Sequence, residues 1–382
     1  MRMTRQGRAA AAGLCLTTLA VASIHGRTLG GQEQNAALST KKVMTAEEKE
    51  ASDLRKAIAR AKHSENLFAS GAPLEVTLQT NIKRIRGDRD DKAPWRSAVV
   101  TYTSPEGKKV EVPAQVRTRG IWRLKNCEFP PLRLNFKSEV TKGTLLHGLD
   151  KPKLVNYCRD NDEYEQYIIQ EMQLYRIYNL LTPASHRVRL LQLTYADSAT
   201  GRQNARRAAI LIEEPEVMAA RLGGPIVDQK GAIARDLDPF HDALAGVFQY
   251  FIGNTDFSIY ALHNMEIVRP VSGDYVPVPY DFDFAGVINA PFATVDPKLR
   301  VQHVRDRLFR GYCQNSQDYV KVFIRFNQQR DAIYALYQDS IGRLLKPKIV
   351  EETLKYYDQF YRTINDPRRA KREIIEDCVK TD

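Results

Sequence analysis

The spacing of hydrophobic residues changes repeatedly along the chain, and each change marks an element. "TAEEKEASDLRKAIARAKHSENLF" opens on Thr45 with Glu48 three residues later, the pattern of an N-cap and its capping box, and carries helix-forming residues to about Phe68. From Pro73 the period becomes two. "PLEVTLQTNI", "SAVVTYTSPEGKKVEVPAQVRTRG", "PPLRLNFK" and "KLVNYC" alternate apolar and polar side chains and predict an antiparallel sheet with a Pro-Glu-Gly turn. Helical spacing returns in "DEYEQYIIQEMQLYRIYNLL", where Tyr164, Tyr167, Ile168, Met172, Tyr175, Ile177 and Tyr178 recur with a helical period behind an acidic first turn. This helix is expected to pack on the sheet. Two further strands, "HRVRLLQLTYAD" and "RRAAILIEE", flank a polar "SATGRQ" hairpin. Beyond them the chain turns helical at "FHDALAGVFQYFIG", and the last hundred or so residues are mostly helical, with "DYVKVFIRFNQQRDAIYALYQDSIGRLL" and "KIVEETLKYYDQFYRTI".

This order predicts an α+β protein of two lobes: a peripheral helix over 45–69, a sheet-rich small lobe with one long helix over 70–215, and a mainly helical large lobe over 216–382. A cleft between the lobes is the expected place for a site.

The N-terminus adds a destination. Arg2, Arg5 and Arg8 precede an apolar run of about fifteen residues and the small-residue sequence "AVAS", the layout of a secretory signal peptide over 1–22. Residues 23–44 read as a flexible leader. Leu14, ahead of Cys15, is too bulky for a lipoprotein signal. No later stretch approaches the roughly eighteen consecutive apolar residues that would span a bilayer. The mature protein is therefore expected in a periplasmic or extracellular compartment, with no transmembrane segment.

Export puts Cys127, Cys158, Cys313 and Cys378 where disulfides persist. With no CxxC and no zinc-type spacing, thiolate metal ligation is not expected. Cys127 and Cys158 both lie beside predicted strands and form the expected bridge; four unpaired thiols are the alternative. The net charge of +11 favours anionic partners such as phosphates or acidic surfaces. The dense basic runs, "IKRIRGDRDDK" and "DPRRAKR", both contain Asp and read as solvated surface, so nucleic acid is not an expected partner.

The chemistry concentrates in "GNTDFSIYALHNMEIV" and "YVPVPYDFDFAG". The segment between them reads as two short strands around Ser272-Gly273, which would place Asn264 opposite Asp281 with Cβ atoms about 5 Å apart. Their oxygens, with Asp283 two residues along the same strand face, suit one hard divalent cation, Mg or Mn. Asp256, just after a predicted helix, can reach the same cleft without crowding the cation, and is placed to orient a hydroxyl and accept its proton. His263 reads as a hydrogen-bonding residue. Each of these residues singly has a structural reading too, since Asp and Asn cap turns through their own backbone.

"VRTRG", "FPPLRLNF", "AAILIEE", "GNTD…HN" and "PYDFDFAG", in that order over about residues 112–290, resemble the CotH-type atypical protein kinases. The resemblance implies a kinase-like fold and ATP or another nucleotide as donor. It implies Asp256 as catalytic residue, Asn264 and Asp281 as metal ligands, Glu213 as the acidic end of a small-lobe strand, and Arg119 as the Arg of the Arg-Gly strand. Three departures stand out. Pro130 and Pro131 occupy the place of the family's lysines, leaving Lys125 or Arg133 to meet phosphate. Eight residues separate Asp256 from Asn264, and Tyr280 replaces a tryptophan.

The expected function is thus a metal-dependent phosphotransferase acting on a hydroxyl of a protein or cell-envelope component. The alternative is a non-catalytic exported binding or assembly protein, favoured by the unassigned lysine and by the scarcity of ATP outside the cell. A carboxylate-pair hydrolase fits less well, because Asp281 and Asp283 on one strand face would not flank a scissile bond. GxSxG, HExxH and Walker-type motifs are absent.

Overall fold

Seven strands form a closed mixed barrel in the computed structural model, which describes residues 44–381 other than Asp91, Pro105 and Ser272. The expected signal peptide and all but the last residue of the leader lie outside the described residues. The first helix, α1 (Ala46–His63), carries the expected capping box: the Thr45 hydroxyl accepts from the Glu48 amide at 3.1 Å and Glu48 accepts from the Thr45 amide at 2.9 Å.

The barrel strands are β1 (Leu74–Thr80), β2 (Arg96–Thr103), β3 (Lys109–Thr118), β4 (Leu132–Asn135) and β5 (Lys153–Val155). After helix α2 (Asp162–Leu181) come β6 (Val188–Asp197) and β7 (Arg207–Ile212). Hydrogen bonding runs β1-β2-β3-β4-β5-β7-β6, and β6 closes on β1 in parallel, with Leu74 beside Leu191 and Thr80 beside Asp197. Alternate apolar side chains meet inside: Leu78, Val100, Leu134, Leu154, Leu193 and Leu211 surround a residual space of only about 20 Å³.

This overturns the expected kinase-like pair of lobes, a small antiparallel sheet lobe followed by a helical one. The sheet has no free edge between β1 and β6, it is mixed, and one buried cluster extends from Leu78 and Leu154 of the barrel to Phe248 and Phe360 of the helices. Alternation along a strand records which face is buried; it does not record which edges meet.

Helix α2 has the expected bounds, capped by the Asn161 side chain on the Tyr164 amide. It packs between β7 and the later helix over Ser316–Ala335, so polar residues are buried as well: Gln166 and Gln173 donate to the Leu344 and Leu336 carbonyls at 3.0 and 2.8 Å. Helix α3 (Pro239–Ile252) precedes the hairpin β8 (Met265–Val268) and β9 (Val276–Pro279); α4 (Ser316–Ala335) and α5 (Pro347–Ile364) come after it. The expected helix through Leu345 ends at Ala335, and Asp339 then caps a new turn by accepting the Ile341 and Gly342 amides, both at 2.9 Å.

Two disulfides form. Cys127–Cys158 is the expected bridge; Cys313–Cys378 is a second one that the sequence does not single out. Among the described residues no helix is long and apolar enough to cross a membrane.

Candidate functional site

The loop after α3 begins at Gly253, whose left-handed backbone (φ 68°) ends the helix. Asn254, fully buried, then shapes the loop. Its amide group donates to Gln249 Oε1 at 3.0 Å and its oxygen accepts the Asp256 amide at 3.0 Å. Arg310 binds the carbonyls of both Thr255 and Phe257, bracketing Asp256. The Asp256 carboxylate is held on each oxygen: Oδ1 lies 2.8 Å from His263 Nε2, and Oδ2 accepts from Asn264 Nδ2 at 3.1 Å. Asn264 also donates to the Asp256 carbonyl at 2.8 Å. The hydrogen bond to Asp256 raises the His263 pKa against the opposing pull of burial.

The hairpin register differs from expectation. Met265 pairs with Pro279, so Tyr280, not Asp281, comes next opposite Asn264, and the Tyr280 amide donates to the Asn264 carbonyl at 3.1 Å. The connection over 269–275 is longer than a two-residue turn, which moves the pairing. Asp281 and Asp283 also do not share a strand face, because β9 ends at Pro279. Instead Asn264 and Asp281, one at each end of the hairpin, are both left-handed (φ 51° and 62°), a conformation that Asn and Asp tolerate best among non-glycine residues. Tyr175 of α2 fixes the second turn: its hydroxyl accepts the Asp281 amide at 2.9 Å while its ring packs on Phe282.

Asp256, Asn264, Asp281 and Asp283 nevertheless act on one another, Asn264 through its hydrogen bonds to Asp256 and the three carboxylates through their charges, and a residue that the sequence reading missed joins them. Glu171, on the buried side of α2, has no hydrogen-bond partner on either carboxylate oxygen. Burial, Asp283 and Asp281 push its pKa far up; Arg123 and Arg119 pull the other way. Burial and Asp281 likewise raise the pKa of Asp283. Arg123 Nη1 lies 3.7 Å from Asp283, and its other end binds the Asn156 carbonyl. The Cys127–Cys158 bridge ties the short helix Trp122–Asn126 that bears Arg123 to the segment that bears Asn156.

The basic side of the cleft is built by sheet register. Arg117 pairs with Arg133 and Arg133 with Lys153, so three cations stand in a row across β3, β4 and β5, with Arg119 just beyond β3. Arg117 lies against the Trp95 ring. The Nε atoms of Arg119, Arg123 and Arg133 are buried without a partner, as are both side-chain polar atoms of Asn156. Lys153, which the sequence reading did not consider, is the buried lysine of this row. Its ammonium sits 4.1 Å from the Tyr280 ring centre and 3.9 Å from Glu266, and burial lowers its pKa although Glu266 opposes this. The one sequence signal was a lysine opening a short apolar strand directly before α2.

Two expected cofactor residues stand elsewhere. Lys125 is exposed on the short helix beside Arg123. Glu213 is fully buried, with its carboxylate saturated by Arg187 and Arg221 at 2.7–3.0 Å, so it anchors structure and has no free oxygen for a ligand. Arg119 acts on the charges of Glu171 and Asp283, whereas Arg133 acts on Lys153 and Glu266.

Among the described residues, no group of three His, Cys, Asp or Glu side chains is placed to hold a metal ion. Asn264, Asp281 and Asp283 are an amide and two carboxylates, donor types that Mg accepts. The partnerless oxygens of Glu171 are buried acceptors of a kind that a cation would satisfy. No family model matches this chain, and no curated protein matches it.

Proposed function

We propose that the cleft is the centre of an exported, metal-dependent phosphotransferase of CotH type, moving a phosphoryl group from a nucleotide such as ATP to a hydroxyl of a protein or cell-envelope component. The observation that carries this reading is the buried Glu171 carboxylate, partnerless beside Asp281 and Asp283 and within reach of the charges of Arg123 and Arg119, whose Nε atoms are buried without a partner. Such a site is stabilised by a cation supplied from outside, which takes the place of the protons that burial otherwise holds on the carboxyls. Asn264, Asp281 and Asp283 would hold Mg or Mn, which supplies charge neutralisation of phosphate oxygens. Arg119, Arg133 and Lys153 bind the donor phosphates. Asp256, steadied by His263 and Asn264, orients the acceptor hydroxyl; as its oxygen bonds to phosphorus and the bond to the nucleotide's bridging oxygen breaks, Asp256 takes the proton. A cavity of about 570 Å³ lined by Leu54, Ile226, Leu262, Met265, Glu266 and Tyr280 adjoins the Lys153 end and has room for the nucleoside. The two disulfides support work in an oxidising compartment, periplasmic or extracellular.

A second reading, a non-catalytic exported binding protein, is favoured by the engagement of Lys153 with Glu266 and Tyr280. One experiment separates them. A nucleoside triphosphate at about one hundred times its dissociation constant, with Mn, should stabilise the protein by about 2.7 kcal/mol, and labelled terminal phosphate should appear on an acceptor. Asp281→Asn should abolish the first and Asp256→Asn only the second. No stabilisation by any nucleotide with Mg or Mn would remove the phosphotransferase reading.

A further inference from the structure

A cavity of about 620 Å³ lies among α3, α5 and the segments 300–308 and 369–377, and shares no lining residue with the acidic cleft. Six arginines line it: Arg300, Arg305, Arg307, Arg362, Arg369 and Arg372. The run "DPRRAKR", which by sequence reads as solvated surface, supplies two of them.

The acids in the wall have partners. Asp377 pairs with Arg300, Glu373 accepts from Arg372 at 2.6 Å, and one oxygen of Asp306 accepts the amides of Gln302 and His303 at 3.2 and 2.9 Å. Among the described residues, Arg305, Arg307 and Arg362 have no carboxylate partner, and Arg369 reaches Asp366 only at 3.6 Å. Arg307 spends its donors on the carbonyls of Tyr250, Phe251 and Tyr356 and on Gln359, so its charge is fixed in place but not neutralised. Arg305 and Arg307 lie against the same Tyr356 ring, 5.1 and 3.6 Å from its centre. Two like charges held on one aromatic ring repel, and burial adds to the cost at Arg307, lowering its pKa.

We propose that this cavity binds a ligand carrying several phosphoryl groups. Guanidinium forks match tetrahedral oxyanions in pairs; Arg305 and Arg362 have no carboxylate partner, Arg369 holds Asp366 only loosely, and Arg307 adds a charge that no carboxylate offsets, more than one carboxylate could satisfy. The volume suits an oligophosphate or a small phosphorylated molecule. The site is independent of phosphoryl transfer in the cleft.

Titration calorimetry with inorganic tripolyphosphate, in EDTA so that no metal assists the cleft, tests this. Wild-type protein should bind, with affinity falling as salt rises. R362Q/R369Q, two exposed changes, should weaken binding about tenfold or more, and R362Q alone should do so in part. K153M, which removes a cation of the cleft, should bind tripolyphosphate as wild type does. Hexaglutamate should bind far more weakly than tripolyphosphate. The proposal is overturned if tripolyphosphate does not bind, if binding survives R362Q/R369Q or is lost in K153M, or if hexaglutamate binds equally well.

Discussion

Gly286 donates its backbone N–H to the carbonyl oxygen of Gly253 at 3.0 Å, and Val287 does the same to Ile252 at 3.0 Å. The segment that carries Asp281 and Asp283 is thereby fastened to the end of the helix that presents Asp256. Neither glycine has room for a side chain: a Cβ on Gly286 would stand 2.3 Å from the Val304 carbonyl, and one on Gly253 2.0 Å from the Tyr356 hydroxyl.

Gly286→Ala should therefore force the two segments apart and cost about 2–4 kcal/mol of stability. Urea unfolding measures this directly. A loss below about 0.5 kcal/mol would mean that the close approach does not hold the site together.

If the proposed role holds, Lys153→Met should weaken binding of a nucleoside triphosphate about tenfold or more, because the ammonium proposed to bind phosphate is removed. Equilibrium binding with Mn present checks it. Unchanged affinity would assign Lys153 to its buried contacts with Glu266 and Tyr280 alone.

Replacing both Cys127 and Cys158 by serine should cost about 3–4 kcal/mol by the chain entropy of the loop they close. It should also loosen Arg123, whose helix the bridge anchors, and so weaken metal-dependent nucleotide binding. A double variant with wild-type thermal stability and wild-type binding would show that the bridge neither stabilises the fold nor positions Arg123.

Asp242 supplies a pH signature outside the cleft. It is buried on α3, accepts from Gln314 at 2.8 Å on one oxygen, has no partner on the other, and is pushed by burial to a pKa of about 7. A carboxyl whose folded pKa is raised holds its proton in the native state after the unfolded chain has lost it. Its contribution is greatest below about pH 4 and is lost as pH rises to about 7, then stays level. Asp242→Asn should remove that fall, so the stability difference between variant and wild type should move in the variant's favour by on the order of 2–4 kcal/mol between pH 4 and pH 8. Denaturant unfolding across that range decides it; a difference flat with pH would show that Asp242 is ionised throughout.

Much of the local structure was legible in the residues themselves. The capping box at Thr45 and Glu48, the bounds of α2 and the alternation of the barrel strands are consequences of short-range spacing, and the Cys127–Cys158 pair was suggested by two cysteines beside predicted strands. Asp256, Asn264, Asp281 and Asp283 could be singled out because oxygen-bearing side chains cluster in two neighbouring segments. Lys153 and Glu171 could not. The first opens a strand of three residues, the second sits among other buried polar residues on α2, and each gains its chemical meaning from neighbours supplied by distant segments.

Sequence alone thus determined where helices and strands begin, which faces they bury and which acids gather near the hairpin, because those properties depend on a few consecutive residues. Tertiary structure decided that β6 closes on β1, that Met265 pairs with Pro279, and that the partnerless Glu171 carboxylate comes under the charges of Asp281, Asp283, Arg123 and Arg119. Edge pairing, register and buried charge are settled by the balance of packing and desolvation over the whole chain, and no local period encodes that balance.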